Sequence, residues 1–408
     1  MKFRHGITLV LLLLSVVHAF ALNPEGMAAL AAADQAAWKA YLDRSTAAAA
    51  ADQAALRDEL AKLRLQDALP APDGGDFEVP DDAEPAWFAS EAAAALAHVI
   101  ISYQTPAGGW SKHTGYSKGP RRPGMLWSSQ YQPGSKPHYL GTFDNHATVE
   151  QIRLLAGVAM ATKRQDCKQA AIRGFDYILS SQFPNGGWPQ VWPLEGGYHD
   201  AATFNDDAMA GILKLLHEAA TGKPEFTFID AQRLALINEA LIKGIDFVIR
   251  SQISLKGVKT GWCAQHDPLS RQPVPARAME PASLASIETS NLLKFLMTIR
   301  HPEPDLVSCI SSALQWLEAA KVTGISRVKR EGKTQYEHSS GTTEVYWARF
   351  YSLIDGKPIF PGRDGVIYQD FSEMAARNKV GYDYYSTRPS STLGSAQAKW
   401  RKMLASSN

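Results

Sequence analysis

The stretch RGFDYILSSQFPNGGWPQVWPLEGGYHDAATFNDDAM, residues 173–209, joins two apolar helical patterns through a loop rich in Gly, Trp and acids. Its parts recur. The turn from Gln182 to Trp188, Q-x3-G-x-W, is found again from Gln104 to Trp110, and in a looser form from Gln252 to Trp262. TFNDDAM at 203–209 echoes TFDNHAT at 142–148. Repetition of both a turn and an acidic helix start predicts stacked helix pairs, each unit too small to bury its own apolar face. The glutamines stand 78 and then 70 residues apart, which allows two helices and two loops per unit.

The second helix of each unit has a common pattern. ATVEQIRLL from 147, AMAGILKLL from 208 and ETSNLLKFL from 288 align with apolar residues at helical spacing. Ahead of them stand Asp144 and Asn145, then Asn205 and Asp206, then Ala285 and Ser286, so the third unit lacks the acid and amide. One such residue is enough to cap a helix. Two or three together suit hard-cation binding as well, and their dispersed spacing differs from an EF-hand loop.

Outward from this core, the first 21 residues have Lys2 and Arg4, an apolar run from Ile7 to Val17, and Ala19-Phe20-Ala21, the pattern of a signal peptide. The mature chain is expected to be secreted or periplasmic. Residues 22–84 read as an Ala-rich helical leader, one helix to about Arg44 and another from Ser45, closed by the linker PAPDGGDFEVPDDAEP. Residues 85–388 read as the main domain and 389–408 as a tail. EVYWARFYSLIDGKPIFPGRDG alternates around Asp355-Gly356 and predicts a β-hairpin. Three distant cysteines leave one disulfide possible, and the pair open.

The whole chain carries 42 basic against 41 acidic side chains, a formal charge of +1 that becomes −1 without Lys2 and Arg4. Neither nucleic acid nor a membrane surface is an expected partner. The chemistry lies in clusters instead. Asp144, Asp206 and the adjacent Asn145, Asn205 and Asp207 are oxygen ligands of the kind that hold Ca²⁺. Lys112, Arg277, Arg349 and Arg363 stand in loops, and arginine grips carboxylates with two parallel bonds. Acids opposite arginines suit a polymer bearing carboxylates, bridged by a divalent cation. Hydrolysis by paired carboxylates, elimination of a C5 proton, and binding without catalysis all remain open.

The motifs GGWSK, TFDNHAT, GGWPQ, FNDDAM, ARAMEPASL and WARFYSLIDGKPIFPGRDG, in this order, resemble those of the family 10 pectate lyases. The resemblance spans about 85–388. It implies an all-α fold, an (α/α)3 toroid with a groove, and Ca²⁺-dependent β-elimination on polygalacturonate. It also implies roles: Arg277 as the base, Asp206 and Asp144 toward Ca²⁺ with Asp144 also assisting catalysis, and Lys112, Asn145, Arg349 and Arg363 on the substrate. His113 stands where the family pattern has Asn, and Met279 where it has an aromatic.

Overall fold

The computed structural model describes residues 22, 24–80, 83–129, 140–330, 333–380 and 382–406. The expected signal peptide lies outside them. Three helix pairs form the expected (α/α)3 toroid: α2 (Glu91–Ser102) with α3 (Val149–Thr162), α4 (Gln165–Ser181) with α5 (Ala208–Ala220), and α6 (Ala231–Ser251) with α7 (Ser286–Leu296), followed by α8 (Pro304–Ala319). α3, α5 and α7 are the inner members. Leu154 and Leu155, Leu215 and Leu216, and Leu292 and Leu293 are all buried, whereas α4 and α6 bury one face and expose the other. α5 lies between α3 and α7 and packs against both.

The repeated turns fasten this ring. In each unit the glutamine side chain donates twice, once within its own turn and once to the next outer helix. Gln104 Nε2 reaches Gly108 O and Ala170 O, Gln182 Nε2 reaches Gly186 O and Ala240 O, and Gln252 Nε2 reaches Thr260 O and Cys309 O, all at 2.8–3.0 Å. The tryptophans turn back onto the preceding helix: Nε1 of Trp110, Trp188 and Trp262 donates to Ile100 O, Ile178 O and Val248 O. Gly174 and Gly244 hold equivalent places in α4 and α6, 70 residues apart. A Cβ on Gly174 would lie 2.5 Å from Ile152, and one on Gly244 2.7 Å from Trp188, so the helices reach this separation only with glycine there.

The predicted hairpin is present. Phe350–Tyr351 pairs antiparallel with Pro358–Pro361 across a turn in which Gly356 has φ 75°. It also pairs with Leu284–Ala285, at the start of α7. A second hairpin, Ile325–Arg330 with Lys333–His338, was not foreseen.

The leader departs from its expected form. In place of two helices divided at Ser45, α1 runs unbroken from Ala32 to Leu63. Ser45 sits inside it, and its hydroxyl accepts from Leu194 N, so a residue that suggests a helix start is used here for docking. Trp38 and Tyr41 pack on Phe183 with ring centres 5.3 and 5.2 Å apart. α9 (Gln397–Ser406) buries Trp400 in the same core. All three cysteines are buried free thiols, so the disulfide that the sequence left possible is absent among the described residues. No described helix is long and apolar enough to cross a membrane.

Candidate active site

The starts of α3 and α5 come together at the mouth of the ring. Each is a short 3₁₀ turn, Asp144–His146 and Asn205–Asp207, with its middle residue in the left-handed region: Asn145 at φ 51° and Asp206 at φ 47°. Asn and Asp tolerate this conformation better than other residues that carry a side chain. The sequence choice is thus local as well as chemical.

Asp144 is buried. Its Oδ2 takes the Lys112 ammonium in a close ion pair, while its Oδ1 has no hydrogen-bond partner. Asp206 keeps an open face to solvent but is crowded on the others. Lost hydration, then the charges of Asp144 and Glu288, raise its pKa above the usual carboxylate range, and Arg349 offsets only part of this. Asp207 accepts twice from Asn291 Nδ2, at 2.9 and 3.0 Å.

The third unit supplies what its first helical residues lacked. Glu288, three residues after Ala285, is buried and accepts from Arg349 Nη2 at 2.7 Å, and its Oε2 is left without a partner. The hairpin delivers Arg349: Ser286 N donates to Arg349 O and Arg349 N donates to Tyr384 O, fixing the arginine between two strands. Burial alone would lower the Arg349 pKa, but Glu288 and Asp206 outweigh it and hold the guanidinium firmly charged.

Arg277 stands in the turn that leads to this strand. Its Nε and Nη2 grip Glu280 at 2.7 and 2.6 Å, and Nη2 also donates to the Tyr382 hydroxyl at 2.6 Å. Tyr382 donates in turn to Glu280, and its ring lies 4.6 Å from the Arg349 guanidinium. Arg277 and Arg349 therefore share one aromatic neighbour. The bonds to Glu280 raise the Arg277 pKa strongly.

A hollow of about 190 Å³ collects Asp206, Asp207, Glu288, Asn145 and Arg349, together with Asp76, Glu78 and Arg388. Its lining carries five acids against two arginines. This surplus, with the partnerless buried oxygens of Asp144 and Glu288, suits a cation. Among the described residues no three His, Cys, Asp or Glu side chains form a ready cage. Arg363 is apart from the hollow. It is exposed beyond Pro361, where its charge is felt at Tyr384.

A family model described as pectic acid lyase matches residues 104–393. The chain belongs to the pectic acid lyase family. Two solved family 10 polysaccharide lyases from Cellvibrio cellulosa are similar in structure. One is an aspartate-to-alanine mutant in complex with trigalacturonic acid, with 28% identity, a TM-score of 0.67, and coverage of 77% of this chain and 95% of that one. The other has 29% identity, a TM-score of 0.66, and coverage of 79% and 98%. No curated protein matches the chain. Family and neighbours make it a polysaccharide lyase.

In this pectic acid lyase the structure gathers Lys112, Asp144, Asn145, Asp206 and Arg349, and adds Glu280, Glu288, Tyr382 and Asp76, which the motifs did not single out as site residues. Glu280 had a signal, since an acid three residues after Arg277 can close on it across a turn. Glu288 was hidden inside an apolar helical pattern, and Tyr382 follows Arg277 by 105 residues.

Proposed function

We propose that this lyase cleaves α-1,4-polygalacturonate by Ca²⁺-dependent β-elimination, with Arg277 as the base that takes the C5 proton. The observation that carries the reading is Arg349 set beside the carboxylates of Asp206 and Glu288, with Arg277 joined to it through Tyr382. The complex of the similar Cellvibrio lyase with trigalacturonic acid supports the substrate class. The signal-type N-terminus supports action outside the cytoplasm.

Arg349 offers a charged fork for a substrate carboxylate, and Lys112 pairs with Asp144 in its buried place. Asp206 and Asp144 would hold Ca²⁺, and the chemistry it would supply there is withdrawal of charge that makes the C5 proton easier to remove. As the C5–H bond breaks, its electrons form the C4–C5 double bond, the C4–O4 bond breaks, and solvent protonates the departing oxygen. Arg277 is held charged by Glu280 in the free enzyme, and a free guanidinium loses its proton only above about pH 12. Base action therefore requires this pair to part, which alkaline pH favours.

The test is the ultraviolet absorbance of unsaturated uronate from de-esterified polygalacturonate at alkaline pH, with Ca²⁺ or with a chelator. The expected result is a rise that needs Ca²⁺. Arg277→Lys should lower kcat by about 10²- to 10⁴-fold while substrate still binds. New reducing ends without absorbance would mean hydrolysis, and an unimpaired lysine variant would remove Arg277 from the base role.

A further inference from the structure

Residues 71–79, APDGGDFEV, have the composition of a linker, yet they are laid down as a strap across the start of α3. The backbone fixes the strap. Gly74 N donates to His113 O and Gly115 N to Pro72 O, both at 2.8 Å. A Cβ on Gly74 would come within 2.6 Å of Gly115 Cα, so the two backbones touch. Phe77 meets Tyr116 edge-on at 5.7 Å, and Val79 N donates to Glu150 Oε2 at 3.0 Å. The strap itself lies outside residues 104–393 that match the family, and its partners lie within them.

At its middle the strap presents a carboxylate to the groove. Both oxygens of Asp76 accept from Asn145 Nδ2, at 3.0 and 2.9 Å, and Oδ1 lies 2.9 Å from His113 Nε2. Glu78 follows, 3.8 Å from His146. Asp76 and Glu78 line the same hollow as Asp206, Glu288 and Arg349. A uronate unit arriving at Asn145 would present a carboxylate of the same charge and similar size. It would find the amide engaged and two negative charges beside it.

We propose that Asp76 is a specificity-determining residue: a carboxylate supplied by the chain itself that fills the subsite at Asn145 and His113 and closes that end of the groove to further uronate units. The inference rests on the polyuronate reading above. The groove then runs from the Arg277 and Arg349 side and stops at the strap. Short chains that end before Asn145 are accepted, and longer ones gain nothing from their extra units.

Removing the carboxylate tests this. Loss of a charge-assisted hydrogen bond changes affinity by about tenfold or more. Asp76→Ala should therefore lower KM for polygalacturonate about 10-fold relative to KM for trigalacturonate. Asp73→Ala removes the same charge from the same strap three residues away and is the control, expected to leave that ratio as it was. Calorimetric titration of wild type and Asp76→Ala with trigalacturonate and with polygalacturonate reads the subsite apart from turnover. A thermal melt shows whether the strap variant still folds. Unaltered length dependence, or weaker binding at every length, would overturn the proposal and make Asp76 a structural anchor. If wild type binds polyuronate without forming unsaturated product, the lyase mechanism falls while the titration still decides on Asp76. Absence of both binding and cleavage overturns both.

Discussion

The turns 142–148 and 203–209 share Thr, Phe and Ala in register and a left-handed middle residue, and differ in electrostatic conditions. In the first, Asp144 is paired with Lys112, and Asn145 is engaged by Asp76. In the second, Asn205 donates to Asp206 at 2.5 Å, and the surrounding charges of Asp144 and Glu288 repel it. The first turn has a positive partner within the protein, although Asp144 Oδ1 stays unbonded, while the second is crowded by acids that Arg349 offsets only in part. Unrelieved charge of this kind is where a site for chemistry is expected, because it stabilises nothing in the free fold.

The sharpest way to break the comparison is to neutralise each turn in its acid. Asp206→Asn should cost about 10²- to 10³-fold in kcat, as does loss of one electrostatic stabiliser, while leaving the melting temperature unchanged or higher, since it removes repulsion. Asp144→Asn should behave otherwise. It breaks the buried ion pair with Lys112 and is expected to cost about 3 kcal/mol of stability by denaturant titration. Equal loss of stability in the two variants would mean that the turns do not differ in the way described.

A smaller effect separates them by pH. The second turn is backed by the pairing of Ala202–Thr203 with Gln265–His266, and the buried His266 accepts from Cys263 N through Nε2 while its Nδ1 donates to Arg271 O. Burial lowers the His266 pKa to about 4. A depressed histidine gives stability that is present above its ordinary pKa of about 6.5 and is lost as pH falls toward 4, because the unfolded chain takes up the proton first. The loss at pH 4 should be about 2–3 kcal/mol. Hydrogen exchange should then quicken at residues 202–208 before it does at 141–147, and His266→Gln should remove most of that difference.

The ring was legible because its fastening is local. Each glutamine and tryptophan bonds within its own turn or to an adjacent helix, so one short motif signals one junction. The acids of the two turns were legible for the same reason, being consecutive in sequence. What could not be read was built by distance. Tyr382 reaches Arg277 only after the hairpin has folded back, and Glu288 looks like an ordinary helix residue until Arg349 is beside it. The strap misled by composition: Pro, Gly and Asp mark a segment with no regular structure, and that is compatible with a fixed path once Ala71 and Phe77 have found partners.

The glutamine bridges have a consequence for how such a chain can change. They join backbone to backbone through a side chain that takes no part in the groove, so each helix start is held in place regardless of the residues it presents there. Between the three copies those residues have diverged to Asp-Asn, Asn-Asp and Ala-Ser, while the bridges have stayed the same. Duplication of a unit held together in this way yields three independently editable positions around one opening, and a lineage can alter the charge of one without refolding the other two.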